Sequence, residues 1–287
     1  MSLVLYEQAG VERNGERTDH QASGRGPQAC QEPSCGKVFL VGAGPGDPEL
    51  ITLKGLRSLR RADVVVYDRL ICPDLLDEVP PQARRVFVGK AAGQHCMNQE
   101  EINALLISYA RQGCLVVRLK GGDPLLFGRA QEEIDALRKA GIDFEIVPGV
   151  TAATAAGAEL GVSLTRRGLA RHVVFVTPRA GRGERENDWA ASVLTADTAV
   201  IYMGAELAEE IGAELIARGK PKATPLVLVE SATLPERRVL YGTLAELPAL
   251  ALGAGGGPAV VLLGEVLRAA RAEPVLTEKI EAIIKRA

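Results

Sequence analysis

The stretch Val38–Asp47, VFLVGAGPGD, decides how this chain is read. Val38 to Val41 is a short apolar run weighted toward β-branched residues, the mark of a buried strand. It stops abruptly at Gly42, Gly44 and Gly46, with Pro45 among them and Asp47 after. Glycine lets a backbone turn sharply and come close to a ligand, because no Cβ blocks the approach. In open α/β sheets, ligands bind where a buried strand runs into such a loop.

The 287-residue chain has room for one large or two ordinary domains. With 47% hydrophobic and 24% charged residues and a mean hydropathy of +0.07, it reads as a soluble globular protein with a substantial core. A net charge of −2 argues against bulk nucleic-acid binding, and 4% aromatics against a stacking platform for bases. The apolar runs are far short of a membrane span, and the N-terminus lacks a basic region followed by an apolar core. Five cysteines, Cys30, Cys35, Cys72, Cys96 and Cys114, are odd in number and mostly isolated, which suits a reducing cytoplasm. Cys30 and Cys35 form the one close pair, and without two further ligands nearby they read as free thiols, so no metal is expected.

Residues 1–36 are rich in Gly, Gln, Glu, Arg and Ser without period, and are expected to be a disordered tail. Beyond the opening strand, Leu50, Leu53, Leu56 and Leu59 recur at helical spacing, and Val64 to Tyr67 reads as a second strand ending at Asp68. Strand, helix and strand in about thirty residues is a βαβ unit. Arg85–Val88 reads as a strand, Asn98–Arg111 as a helix with Ile102, Leu105, Leu106 and Tyr109 inward, and Cys114–Leu119 as a strand running into Lys120-Gly121-Gly122-Asp123-Pro124. A helix from Ala130 to Lys139 and a strand from Phe144 to Val147 follow. Pro148-Gly149 is the expected boundary, and a helix of small residues starts near Thr151. Further strands are expected at Val173–Thr177, Thr198–Met203, Leu226–Glu230 and Ala259–Leu263. The fold class is therefore α/β, with two α/β domains of mostly parallel sheet over residues 37–148 and 149–270. Residues 271–287 carry a helical pattern and are expected to be a C-terminal tail.

A dinucleotide fingerprint needs G-x-G-x-x-G, yet the third glycine's place holds Asp47, and Pro45 removes a backbone donor. Asp68 does stand about where a ribose-binding acid would. No Gly-Lys-Ser/Thr follows, so the loop is no P-loop. A second loop of the same kind, RLKGGDP from Arg118 to Pro124, changes the odds. Two such loops at strand C-termini can line one crevice and bind a polar, zwitterionic ligand through backbone groups.

The motifs GAGPGDPELITLKG, VVVYDRL, VGKAAG, QEEIN, RLKGGDPLLFGR, VPGVTAA and VSLTRR occur in order over residues 38–167. With the later Tyr202-Met203-Gly204 and the strand ending at Glu230, they make residues 37–268 resemble the uroporphyrinogen-III C-methyltransferases of the tetrapyrrole methylase family. The resemblance implies a two-domain α/β enzyme with its active site in the interdomain cleft, usually a homodimer. It implies transfer of methyl groups from S-adenosyl-L-methionine to C2 and C7 of uroporphyrinogen III, giving precorrin-2 and S-adenosyl-L-homocysteine, for sirohaem or cobalamin synthesis. Alternatives are a methylase of a later precorrin, an NAD(P)-dependent oxidoreductase, or a ligand-binding regulator without turnover.

Carried across motif by motif, the resemblance assigns Pro45, Gly121, Gly122, Asp123, Leu126, Thr151, Ala152, Met203 and Ala232 to the methyl donor. It makes Asp68 the proton acceptor and Lys90 the proton donor. Arg129, of the catalytic set, also faces substrate together with Arg167, because an acceptor with eight carboxylates calls for fixed positive charge. Glu132, one turn beyond Arg129, could orient it or meet a pyrrole N–H. A turn cap is the plain alternative for Asp123, and core filling for Met203. Arg84-Arg85, Arg166 and Arg171 read as solvated surface. Two departures stand out: Thr177-Pro178-Arg179 where the family has Thr-Gly-His, and GRAQEE in place of GRGGEE.

Overall fold

The computed structural model describes residues 36–89, 97–181 and 187–270. The expected tail over residues 1–36 falls, but for Gly36, outside these residues. So do Cys30, Cys35, Lys90, Cys96 and the expected tail over 271–287.

The first part of the chain runs β1 (Lys37–Gly42), α1 (Leu53–Leu59), β2 (Val64–Tyr67), β3 (Arg84–Phe87), α2 (Gln99–Arg111), β4 (Val116–Lys120), α3 (Ala130–Lys139) and β5 (Asp143–Val147). These strands form one sheet in the order β3-β2-β4-β1-β5, with every pairing parallel. Side chains alternate across it as a pleat demands. Val38, Leu40, Val64, Val66 and Val116 pack under α2 and α3, while Val41, Val65, Val117, Leu119 and Val147 pack under α1 and the 3-10 turn Pro73–Glu78. Asn98 and Glu101 close a capping box at the start of α2.

The leucine stripe expected for the first helix is corrected. Leu53 is 71% exposed, and the buried positions of α1 are Gly55, Ser58 and Leu59. The helix lies so close on β1 that a Cβ at Gly55 would stand 3.0 Å from Val41 Cγ1, so the small residue faces inward.

The chain then forms α4 (Ala152–Glu159), β6 (Val173–Val176), α5 (Trp189–Thr195), β7 (Thr198–Tyr202), α6 (Ala208–Ala217), β8 (Pro225–Glu230), β9 (Arg238–Thr243), α7 (Leu247–Leu252) and β10 (Ala259–Gly264). The second sheet has the order β6-β7-β10-β8-β9. One face carries α5, α6 and α7, and the other carries the small-residue helix α4.

Parallel pairing holds throughout the first sheet and for β6 with β7, whereas β10 runs antiparallel to β7 and β8, and β8 antiparallel to β9. Strand β9, which the sequence reading passed over, explains the difference. It is an edge strand that returns from β8 through residues 231–237, so the chain reverses without a crossover helix. Both sheets belong to one compact unit.

Candidate active site

The site is built where β1 and β4, neighbours at the centre of the first sheet, run out of their C-terminal ends. Gly44 and Gly122 form an isolated bridge, with Gly122 N donating to Gly44 O at 2.6 Å and Gly44 N to Gly122 O at 3.3 Å. Behind it three glycines meet. A Cβ on Gly149 would lie 2.3 Å from Gly122 O and 2.8 Å from Gly42 Cα, and one on Gly42 would lie 2.6 Å from Gly149 Cα. A side chain at Gly42 or Gly149 would collide with backbone, so the approach of the loops requires glycine at both.

Contacts chain these loops to the second sheet. Gly46 is pressed against Ala232 and Thr233 of the turn after β8, and Asp47 N donates to Thr233 Oγ1 at 2.8 Å. Asp123 accepts from Leu125 N and from Gly149 N, at 2.8 and 2.9 Å, so one oxygen caps its own turn and the other ties that turn to the loop after β5. The local cap read as the plain alternative for Asp123 is therefore present. Tyr202, the last residue of β7, brings its hydroxyl 2.6 Å from Thr151 Oγ1 and accepts from Ala153 N at 3.0 Å, at the N-terminus of α4. Burial pushes the Tyr202 phenol above its ordinary pKa, against the opposing bond to Thr151. Its ring packs against Phe127 at 5.0 Å and Phe175 at 6.1 Å.

Backbone strain gathers at the same place. The non-glycine residues with positive φ among those described are Phe127, Arg129, Met203, Ser231 and Thr233, all in loops that leave β4, β7 and β8. Pro45, Gly121, Gly122, Asp123, Leu126, Thr151, Ala152, Met203 and Ala232 thus lie on loops that touch one another. Met203 stands 42% exposed and is no core filler. Gly122 has φ +68, and a Cβ there would meet nothing within 4 Å, so its backbone borders open space.

Asp68 follows β2. Its Oδ1 accepts from Leu70 N at 3.0 Å and its Oδ2 from Arg118 Nη2 at 3.1 Å, with the side chain 26% exposed. Leu70 in turn sits against Gly121. Arg129 and Glu132 form a two-bonded ion pair at 2.7 and 2.8 Å on the exposed first turn of α3. Arg167 is exposed and engages none of these residues among those described. Arg179 pairs with Glu206, joining the turn after β6 to the turn after β7. A cavity of about 360 Å³ lies there, lined by Phe127, Phe175, Thr177 and Trp189. A larger hollow, about 510 Å³ among Asp197, Lys220 and Gly264, lies at the opposite end of the second sheet and includes none of the site candidates.

Sequence reading missed the charges behind the site. Arg118 and Lys120 alternate on one face of β4, both buried, and converge on Glu133 of α3, which is 0% exposed. Arg118 Nε reaches Glu133 Oε1 at 3.0 Å, and Lys120 Nζ reaches its two oxygens at 2.9 and 3.0 Å. Gln99 of α2 adds a bond at 3.3 Å. Burial, and next the like charge of Arg118, hold Lys120 below its ordinary pKa, while Glu133 opposes them. Two cations at i and i+2 in an otherwise apolar strand were the available signal.

This geometry is not that of a dinucleotide site. Gly44 N is spent on the bridge to Gly122, and β1 is followed by the 3-10 turn Pro48–Leu50, so no α-helix N-terminus meets the loop. Paired glycine loops instead meet one another and are chained to the second sheet. The chain belongs to the tetrapyrrole (corrin/porphyrin) methylases, whose sequence profile matches residues 37–248. Siroheme synthase 3 of Aeromonas hydrophila is 48% identical over 239 residues, 83% of this chain and 51% of that protein. The chain thus spans about half the length of the curated relatives it matches. Uroporphyrin-III C-methyl transferase of Thermus thermophilus, solved with S-adenyl homocysteine, superimposes with a TM-score of 0.71 at 41% identity, covering 82% of this chain and all of that one. A cobalt precorrin-4 methyltransferase superimposes with a TM-score of 0.72 at 34% identity, covering 80% and 95%.

Proposed function

We propose that this protein methylates uroporphyrinogen III at C2 and C7 with S-adenosylmethionine, giving precorrin-2 for the sirohaem or cobalamin branch. The observation that carries the reading is the contact chain from Gly44 and Gly122 through Asp123 and Gly149 to Thr151 and Tyr202. It sets the motifs of the resemblance side by side around one opening. The likeness to the Thermus transferase, over that protein's full length, supports the same reading.

The residues fit a methyl donor. Gly122 offers backbone to open space, and Pro45, Leu126, Ala152, Met203 and Ala232 offer apolar contact for an adenine and a sulfonium-bearing chain. When bound, the donor supplies an electrophilic methyl group. The loops hold donor and acceptor in line, and alignment supplies a large share of the acceleration. Arg129, oriented by Glu132, and Arg167 meet acceptor carboxylates. Methyl transfer breaks the carbon–sulfur bond and leaves an iminium on the methylated ring. Asp68 takes a proton from the methylene carbon beside that ring, whose C–H electrons neutralise the iminium, and Lys90 is the proton donor of the reading. Domains at 37–148 and 149–270, a homodimer and a cytoplasmic location complete the reading.

Incubation of the purified protein with uroporphyrinogen III and S-adenosylmethionine under reducing conditions tests it. The expected product carries two added methyl groups. Absence of any methylated product sinks the proposal, and methylation only of a later precorrin moves the protein to that step.

Tyr202→Phe should weaken binding of S-adenosylhomocysteine by roughly three- to tenfold, the equivalent of one hydrogen bond of about 1 kcal/mol. The ring contacts survive while Thr151 and Ala153 lose their partner. Calorimetric titration reads this directly, and an unchanged Kd would remove α4 from the donor site.

A further inference from the structure

We infer that Arg118 is the positioning residue for Asp68, and that Glu133 is the buried anchor through which it acts. The inference rests on the reading of Asp68 as proton acceptor. Arg118 is 4% exposed, and each of its guanidinium nitrogens has a partner. Nε binds Glu133 Oε1 at 3.0 Å, Nη1 donates to Leu119 O at 2.9 Å and Val66 O at 3.4 Å, and Nη2 binds Asp68 Oδ2 at 3.1 Å. A planar fork so held has one orientation, and it transmits that orientation to the carboxylate at its tip.

Asp68 itself stands on the short turn after β2, where Leu70 N fixes its Oδ1. The turn alone leaves the second oxygen free to rotate away, and Arg118 removes that freedom. The carboxylate keeps part of its surface open to solvent. The design also fixes what the network does not do. A guanidinium cannot be deprotonated in a protein, so Arg118 blocks proton passage from Asp68 to Glu133 and Lys120. The buried charges act as a clamp, and a proton taken by Asp68 leaves on its exposed side.

A lysine cannot stand in for this arginine, because one ammonium cannot span two carboxylates on opposite sides of a rigid fork. The test is a double-mutant cycle of Arg118→Lys and Asp68→Asn, read by single-turnover methylation and by S-adenosylhomocysteine titration. Arg118→Lys alone should lower kcat on the order of 10²-fold, as misplacement of a reacting group does, with donor-product binding and KM unchanged. In the Asp68→Asn background the same change should cost nothing further. Equal losses in both backgrounds, or an intact kcat for Arg118→Lys, overturn the inference. Full turnover by Asp68→Asn alone overturns the reading of Asp68, which is a distinguishable result. Arg118→Gln serves where the lysine variant does not fold. Failure of both to bind S-adenosylhomocysteine also overturns the inference, because it assigns Arg118 to the fold.

Discussion

Replacing Asp68 by Asn should lower kcat and kcat/KM together by about 10²–10⁴-fold, the range over which a positioned general base contributes. The amide keeps the shape of the carboxylate and its one oxygen can still accept from Leu70 N, so the turn after β2 persists, while the bond from Arg118 Nη2 is given up to the amide NH2. What it loses is the ability to take a proton from the macrocycle. Binding of S-adenosylhomocysteine should be unaffected, since the donor loops leave β1 and β4 and close on β7 and β8. The KM for acceptor should also hold, because Arg129 and Arg167 keep their charges. A variant with wild-type kcat would move the proton acceptor elsewhere.

Glu133→Gln should destabilise the protein by about 3–5 kcal/mol, the cost of leaving buried charge without its partner. Glu133 is the only carboxylate on which Arg118 and Lys120 converge among the described residues, and water reaches none of the three freely. Glu132 gives the contrast. It is the neighbour in sequence, carries the same group, and pairs with Arg129 in solvent. Its exposed pair should be worth about 0–1 kcal/mol, so Glu132→Gln should scarcely move the unfolding midpoint. Denaturant titration of the two variants decides the matter, and equal losses would refute the clamp. Adding Lys120→Met to Glu133→Gln should recover part of the loss, because one orphaned cation is then gone.

Most of the frame was legible because each strand is a short apolar run ended by glycine, proline or a charge. Helices α2 and α3 were legible to within a residue, since their apolar periods are regular and Asn98 caps α2. Direction in the second sheet was not legible. Alternating strands and helices suggest crossovers, and only the edge strand β9, half-buried and mixed in composition, reverses the chain. The loop residues around Gly44 and Gly122 were legible because glycine there has one physical use. Arg118, Lys120 and Glu133 were not, because a charged residue reads as solvated until its strand is known to be central. Asp123, read toward a ligand, also caps its own turn at Leu125 N and ties it to Gly149 N, which composition alone does not reveal.

The meeting of Gly42, Gly122 and Gly149 has a consequence for how this protein can change. A methyl group on Gly42 or on Gly149 would run into the backbone of the other and of Gly122, which cannot rotate aside, while Gly122 has room for one but holds a φ of +68 that side chains rarely adopt. Positions more than a hundred residues apart in the chain therefore constrain one another through backbone alone. A substitution at Gly42 or Gly149 separates the loops, and one at Gly122 strains the turn. Diversified libraries of this scaffold should hold the triplet fixed and draw new specificity from Phe127, Thr177 and Trp189, where the wall is side chain and the space is open.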